Sequence, residues 1–308
     1  MIKGDIKTKL NEVLGRFGMD PLEWTYKTDG FKQKLEFLFE SNGYNQLFNA
    51  LFSSNDLIEF NSYVFEVLFA HDFESKGHKL LYEVRQLTEE NTSVDFCYNL
   101  DDQKKVYFEL GLIGQRSPIK NYIESQLKIS KHSEILLNGQ DEIDETIRLQ
   151  SFILSKCQDD NGKPIKFYKV TEGVYNFVVV NVSELHLNMI DREDCELAMY
   201  GNTNLSIYYH GHNILGLCQQ LGKDASDDEK RHYHKFQHFR ETIHGVLFVK
   251  FAKKNDDFLL SNMHIDRELE YFPTRNEYLL QKQDFDLIAE RLSSFLKKGH
   301  TKKNKNAT

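Results

Sequence analysis

The first third of the chain has apolar residues at helical spacing. In the opening segment they recur every three or four positions: Ile6, Leu10, Val13, Leu14 and Phe17. Asp20-Pro21 interrupts this pattern, and a second apolar pattern follows through Phe31, Leu35, Leu38 and Phe39. The pattern predicts a helical extension over residues 1–55. A longer helix over 57–76 comes next, with Phe65, Phe69 and Phe73 facing inward and Gly77 at its end.

Strand-like runs dominate the middle of the chain. Three come in succession and a fourth, continuous and rich in β-branched residues, follows later: His78–Val84, Ser93–Leu100, Lys104–Ile113 and Tyr175–Val182. Pro118 can open a polar helix over 119–140, and a second helix is expected over 142–157. The order of helix, three strands, helix and strand predicts an α/β fold whose core spans 56–184.

The pattern is weaker beyond residue 184. We expect a polar loop over 186–204, a helix over 226–243, a strand over 245–252 and a final helix over 284–298. These elements predict a C-terminal α/β addition, 185–298, that packs on the core. The last residues, 299–308, are basic and polar, which is typical of a disordered tail.

Composition narrows the class of protein. The 308 residues are 40% apolar and 13% aromatic, enough for a large core. No apolar run approaches the roughly 20 residues of a membrane helix, and MIKGDIKTKLNE lacks the apolar stretch of a signal peptide. The four cysteines form no C-x-x-C pair: Cys97, Cys157, Cys195 and Cys218. These features predict a cytoplasmic protein with free thiols and no membrane partner.

The charge balance limits how the chain binds nucleic acid. Its net charge is −8, which argues against broad nonspecific attraction to phosphate. A local basic groove remains compatible with that total, because phosphate contact requires only a few lysines or arginines in one place.

Three acidic residues lie on separate elements of the predicted core. Glu66 lies in the long helix, Asp95 in the second strand and Glu109 in the third. If the turn between these strands centres on Asp102, Asp95 lies directly opposite Glu109, whereas a turn centred between two residues puts them on opposite faces. Two carboxylates about 4 Å apart repel by about 4 kcal/mol at an effective dielectric constant of 20. A divalent cation or a shared proton is needed to offset that repulsion.

This arrangement resembles the PD-(D/E)XK nuclease superfamily. In that family a helix Glu, a strand Asp and a Glu two residues before a Lys surround one or two metal ions. The resemblance assigns these roles to Glu66, Asp95 and Glu109, and Gly111 stands where the family has its lysine. It implies a restriction-endonuclease-like αβββαβ core with helical additions at both ends, Mg²⁺ or Mn²⁺ as cofactor, and DNA as substrate. The segments IRLQSFILSK, NGKPIKF and YNFVVVNVS also resemble uncharacterised bacterial members.

Some members of the superfamily place the lysine on the following helix. Lys156 shares a face of that helix with Leu149, Phe152 and Ile153, and Gln150 shares another with Ile143, Ile147 and Leu154. Each polar residue interrupts an apolar stripe, which favours side chains that point at a polar site. The alternatives are a lysine that extends to solvent and a buried amide whose hydrogen bonds are satisfied.

A second group of candidates consists of histidines in the last third of the chain: His210, His212, His232, His234, His238 and His244. His210 and His212 would share one face of a strand, and His234 and His238 one face of a helix, which suits zinc. The alternative is that they are solvated or structural histidines. His244 precedes an apolar strand and fits the structural reading.

The sequence therefore predicts a metal-dependent nuclease that hydrolyses phosphodiester bonds in DNA, with RNA left open as a substrate. Bacterial defence is the setting that the family suggests, and a homodimer or a partner protein in a defence system is left open. Two other classes compete with this reading. One is a degenerate nuclease fold that binds nucleic acid or serves assembly, and the other is a zinc-dependent hydrolase built on the histidines.

Overall fold

The computed structural model describes most of the chain. It covers these residues: 5–19, 21–86, 92–114, 121–122, 125–126, 129, 139–167, 171–182, 190, 192–201, 214–219, 223, 225–251, 267–274 and 282–292. The predicted polar helix 119–140 falls almost wholly outside these ranges. The basic tail 299–308 also lies outside them.

Fifteen elements are described in these ranges. The helices are α1 (Asp5–Arg16), α2 (Pro21–Ser41), α3 (Asn45–Ser53), α4 (Leu57–Glu74), α5 (Gly139–Ser155), α6 (Arg192–Tyr200), α7 (Asp227–Lys235), α8 (Gln237–Thr242) and α9 (Lys282–Leu292). The strands are β1 (Leu80–Val84), β2 (Val94–Asn99), β3 (Lys105–Leu112), β4 (Val174–Asn181), β5 (Gly245–Phe251) and β6 (Arg267–Pro273). The chain is thus a mixed α/β protein, as the sequence predicts.

The six strands form one mixed sheet in the order β1-β2-β3-β4-β5-β6. Strands β1, β2 and β3 are antiparallel neighbours, whereas β3 and β4 are parallel. Parallel strands need a crossover connection, and α5 lies in the one between β3 and β4. In the β2–β3 hairpin Phe96 pairs with Phe108 and Cys97 with Tyr107, so the register expected from a turn centred on Asp102 is confirmed.

The chain divides into two compact units. The first comprises 1–79, 249–269 and 281–308, and the second comprises 80–248 and 270–280. In the first unit α4 packs against α2 and α3. Asp56 caps α4, because its carboxylate accepts hydrogen bonds from the N–H groups of Ile58 and Glu59.

The core of the second unit lies against the sheet. Its buried apolar side chains come from the strands, from α5 and the turn after it, and from α6 and α8. Among them are Cys97, Tyr107, Leu149, Ile153, Cys157, Val178 and Val180. Residues two apart on a strand share a face. Asp95 and Cys97 therefore lie on one face of β2, and Tyr107, Glu109 and Gly111 lie on one face of β3. The packing of α5 over Gly111 identifies this as the face that α5 covers.

Two predictions beyond residue 184 are wrong. The expected polar loop 186–204 contains helix α6, whose buried residues Cys195, Leu197, Ala198 and Met199 pack toward α5. The charged run DREDCE hides that apolar face in the sequence. The expected single helix over 226–243 is two helices, α7 and α8, because buried Phe236 ends the first one.

Strand β6 was not foreseen. Its sequence, RELEYFP, alternates charged and apolar residues over a short stretch, and it takes strand form as the edge neighbour of β5. Over the described ranges we find no helix that is both long and apolar enough to cross a membrane.

Candidate active site

The candidate site is built on the β2–β3 hairpin. Continuing the observed register by one residue places Asp95 opposite Glu109. The ladder changes here, because the Asp95 carboxylate accepts a hydrogen bond of 2.7 Å from the backbone N–H of Leu110. That bond holds one oxygen of Asp95 beside β3. The two acidic side chains therefore share the face of the sheet that α5 covers.

Glu109 is the most enclosed member of the pair. Its side chain is 1% exposed, and its Oε1 lies 2.5 Å from Lys166 Nζ and 3.7 Å from Lys156 Nζ. Its other oxygen, Oε2, is buried and has no hydrogen-bond partner among the residues that the structure describes. A buried carboxylate oxygen without a partner is costly, because it has lost its water without a replacement. One half of this carboxylate is therefore open to a further ligand.

Lys156 reaches Glu109 by passing over Gly111. A Cβ atom added at Gly111 would lie 2.5 Å from Lys156 Cε and 2.7 Å from Phe152 Cζ. The side chain of Lys156 thus occupies the space in which a side chain at position 111 would begin. Only glycine leaves that space free. The ammonium group of Lys156 also lies 5.4 Å from the centre of the Phe152 ring, which is within cation–π range.

The electrostatics of the pair follow from burial and like charge. Burial and the neighbouring Asp95 raise the pKa of Glu109 above its ordinary value, and Lys166 and Lys156 oppose that rise. Burial also raises the pKa of Asp95, against the lowering effect of the two lysines and of the Leu110 N–H. Both carboxylates are therefore held at a cost in their charged form, which added positive charge would relieve.

Glu83 adds a third carboxylate beside Asp95. The β1–β2 register pairs Tyr82 with Phe96 and Val84 with Val94, so Glu83 lies opposite Asp95. Burial of its carboxyl group and the charge of Asp95 raise the pKa of Glu83, although the residue as a whole is exposed. Its φ of 54° falls in the left-handed region, which costs a non-glycine residue about 1 kcal/mol or more. The strand is thus distorted where it passes the acidic pair.

Glu66 lies on α4 in the first unit. Its side chain is only 7% exposed, which is rare for a glutamate. Its role as a third metal ligand stays a prediction. In the part of the chain that the structure describes, no group of three or more His, Cys, Asp or Glu side chains is gathered closely enough to hold a metal ion.

Gln150 is placed in the interior between α5 and its neighbours. Its Nε2 donates hydrogen bonds of 2.9 Å to the carbonyl oxygens of Ala198 and Leu215. These contacts tie α5 to the end of α6 and to the segment that follows it. The geometry matches the alternative interpretation of Gln150 as a satisfied buried amide, and Lys156, which directly follows α5, is the residue that reaches Glu109.

Replacing Gln150 with methionine should reduce stability and leave metal binding unchanged. The change keeps the side-chain volume and removes both hydrogen bonds, so two buried carbonyl groups lose a donor. We expect the free energy of unfolding to fall by about 2 kcal/mol, as measured by urea denaturation. Loss of Mn²⁺ binding by a folded Gln150→Met variant would instead assign Gln150 to the site.

Of the two predicted histidine pairs, the one that falls on described residues is not formed. His234 lies on α7 and His238 on α8, so the expected spacing of four residues along one helix is wrong. His244 is fully buried and its Nδ1 accepts a hydrogen bond of 3.1 Å from the Asn176 N–H. His210 and His212 lie outside the described residues, and so does the side chain of His232.

Two members of the site were missed in the sequence. Lys166 lies in NGKPIKF, between Ile165 and Phe167, and Glu83 lies in the first strand. Glu83 could have been found by extending the strand register from β2 to β1. Lys166 had no comparable signal, because a turn at Gly162 brings its segment back toward the sheet.

Comparison with known proteins identified no relative of this chain. A scan against protein-family models, a search of curated proteins and a search of solved structures each gave no match.

Proposed function

We propose that this protein is a metal-dependent nuclease that hydrolyses phosphodiester bonds in DNA. The proposal takes α4, β1, β2, β3, α5 and β4 as a PD-(D/E)XK core, since these elements follow one another in the order that the family resemblance implies. Asp95 and Glu109 are the acidic pair, and Glu66 is the proposed third acid. The choice of DNA over RNA, and a role in bacterial defence, rest on the resemblance alone.

One observation carries the proposal. The Cε atom of Lys156 lies 2.5 Å from the place where a Cβ at Gly111 would stand. Position 111 is where the family has its lysine. Here the Lys156 ammonium group comes from the turn directly after α5 and lies 3.7 Å from Oε1 of Glu109. Lys156 therefore supplies the ammonium group that is absent at Gly111, and Gly111 leaves the space that Lys156 needs.

The donor set fits a hard divalent cation. Asp95 and Glu109 offer carboxylate oxygens, which Mg²⁺ and Mn²⁺ prefer, and the buried Oε2 of Glu109 has no partner among the described residues. When bound, such an ion activates a water and polarises the phosphate. The protein's own part is to hold the two carboxylates against β3 and to present the Lys156 ammonium. That ammonium stabilises negative charge that develops on the phosphate oxygens.

The test is Mg²⁺-dependent DNA cleavage by Lys156→Met and by a lysine exchange. We expect Lys156→Met to cleave about 100-fold more slowly, because the charge is lost while the aliphatic chain over Gly111 is kept. Lys163→Met is the control, since Lys163 is an exposed lysine of the turn that follows α5, and its rate should equal that of the wild type.

The exchange variant combines Gly111→Lys with Lys156→Ala. Lys156→Ala removes the Cε atom that lies 2.5 Å from the place of the new Cβ, and the Phe152 ring, 2.7 Å from that place, must shift for the new lysine to enter from β3. We expect this double variant to cleave DNA at least tenfold faster than Lys156→Ala alone. A Lys156→Met protein with the wild-type rate would remove Lys156 from the mechanism.

A binding module without catalysis is the second candidate. The Lys166 ammonium, 2.5 Å from Glu109 Oε1, supplies positive charge to the acidic pair without any metal. A degenerate nuclease fold that binds nucleic acid would be stable in this form. Calorimetric titration with Mn²⁺ separates the two functions, because only the nuclease requires the ion at Asp95 and Glu109.

A further inference from the structure

Lys166 and Lys156 meet the same oxygen of Glu109 in different ways. Lys166 Nζ is at hydrogen-bond distance from Oε1, at 2.5 Å, whereas Lys156 Nζ is 3.7 Å away. The aliphatic chain of Lys156 lies between Gly111 and Phe152, which fixes its path. The side chain of Lys166 is 20% exposed. Of the two, Lys166 makes the closer contact.

The backbone next to Lys166 is anchored by two hydrogen bonds of the preceding residue, Ile165. Ile165 donates its N–H to the Cys157 carbonyl at 3.0 Å, and its own carbonyl accepts a hydrogen bond from the Thr92 hydroxyl. Phe167, the next residue, is buried in the core. The backbone of this segment is therefore anchored, and the side chain of Lys166, which is 20% exposed, lies between Glu109 and solvent.

The charges show what Lys166 replaces. Burial lowers the pKa of Lys166, whereas Glu109, Asp95 and Glu83 raise it. The three carboxylates together outweigh burial, so the pKa is above its ordinary value. A divalent ion bound to Asp95 and Glu109 would take over this neutralisation. It would also repel an ammonium group held against Glu109, because like charges at contact distance are unfavourable in a partly buried site. The ion and the Lys166 ammonium therefore compete for Glu109.

We propose that Lys166 is a built-in counter-ion that holds Glu109 in the metal-free protein and must leave it when a divalent cation binds. The inference rests on the proposed metal-dependent function and adds its regulation. Lys156 remains over Gly111 in both states. Lys166 lowers the affinity for the metal and keeps the acidic pair neutralised until the ion arrives.

The experiment is calorimetric titration of the full-length protein with MnCl₂ at constant pH and ionic strength. Lys166→Met removes the competing charge and keeps the length of the side chain, so we expect it to bind Mn²⁺ at least tenfold more tightly than the wild type. Lys166→Arg retains the charge and should bind like the wild type. Lys163→Met, on the same turn, controls for the loss of a lysine.

Lys166→Gln provides a second neutral variant if the methionine variant does not fold, and thermal melts establish which variants are folded. Equal or weaker Mn²⁺ binding by the folded neutral variant overturns the counter-ion role while leaving the metal site in place. No Mn²⁺ binding by the wild type or by any Lys166 variant overturns the metal site itself, and the counter-ion role with it.

Discussion

Asp95→Asn is expected to slow Mg²⁺-dependent DNA cleavage by about 1,000-fold, which corresponds to about 4 kcal/mol of activation free energy. Asparagine has nearly the same shape as aspartate, and its carbonyl oxygen is able to accept the hydrogen bond from the Leu110 N–H. The change therefore removes the charge of Asp95 and retains its contact with β3. Cleavage is measured with a linear DNA duplex at saturating Mg²⁺.

The fold should tolerate this change. Burial raises the pKa of Asp95, so its charged form destabilises the folded state at neutral pH, and a neutral isostere carries no such penalty. We expect the free energy of unfolding of Asp95→Asn to match or exceed that of the wild type. Asp102→Asn, on the exposed turn of the same hairpin, is the matched control and should cleave at the wild-type rate. Full activity of folded Asp95→Asn would refute the acidic pair as the active site.

The stability of the protein is expected to fall by about 3 kcal/mol between pH 7 and pH 4 through His244 alone. Burial lowers the pKa of His244 to about 4. Its Nδ1 accepts a hydrogen bond from the Asn176 N–H, so the neutral ring carries its proton on Nε2. A second proton would have to sit on Nδ1 and would break that bond. The rings of Tyr175 and Phe177 pack around the imidazole and exclude water.

The direction of this change in stability with pH follows from the order of the two pKa values of His244. In the unfolded chain the histidine takes up its proton near pH 6.5, whereas in the folded protein it does so near pH 4. Between these values the unfolded state binds more protons, so stability is fully present above about pH 6.5 and declines as the pH falls toward 4.

Urea denaturation of the wild type and of His244→Gln at several pH values tests this prediction. The variant should lose about 3 kcal/mol less than the wild type over the same interval, because glutamine does not titrate. The exposed His234 on α7 provides the control substitution, His234→Gln, whose profile should follow that of the wild type. Parallel profiles for the wild type and His244→Gln would contradict the assignment.

His244 also shows how a structural histidine is recognised. It is tied to β4 on two sides, because its backbone N–H donates to the Asn176 carbonyl and its ring accepts from the Asn176 N–H. The Asn176 side chain accepts from Gln86 and donates to the Thr242 carbonyl. This buried network joins β4 to the entry of β5. Among the histidines that the structure describes, His244 is thus explained by packing and hydrogen bonding rather than by zinc.

The sequence by itself determined the local elements and left the β2–β3 register open between two alternatives. Period-two and period-3.6 patterns located α4, the hairpin strands and α5, because each of these elements has an apolar face that must be buried. A continuous run of β-branched residues located β4. The structure selects the alternative that aligns Asp95 with Glu109. A register shift of one residue would have reversed the face of every side chain. Local chemistry was sufficient for the elements.

Only the tertiary structure decided which lysine meets the acids and which amide does not. Lys156 and Gln150 both interrupt apolar stripes of the predicted helix 142–157, and the sequence pattern gives no reason to prefer one of them for the site. The rotation of α5 on the sheet sends one across Gly111 to Glu109 and the other to the carbonyl oxygens of Ala198 and Leu215. Lys166 arrives from a separate turn, and α6 forms where the polar sequence suggested a loop. These outcomes depend on contacts between residues far apart in the chain, which local patterns do not encode.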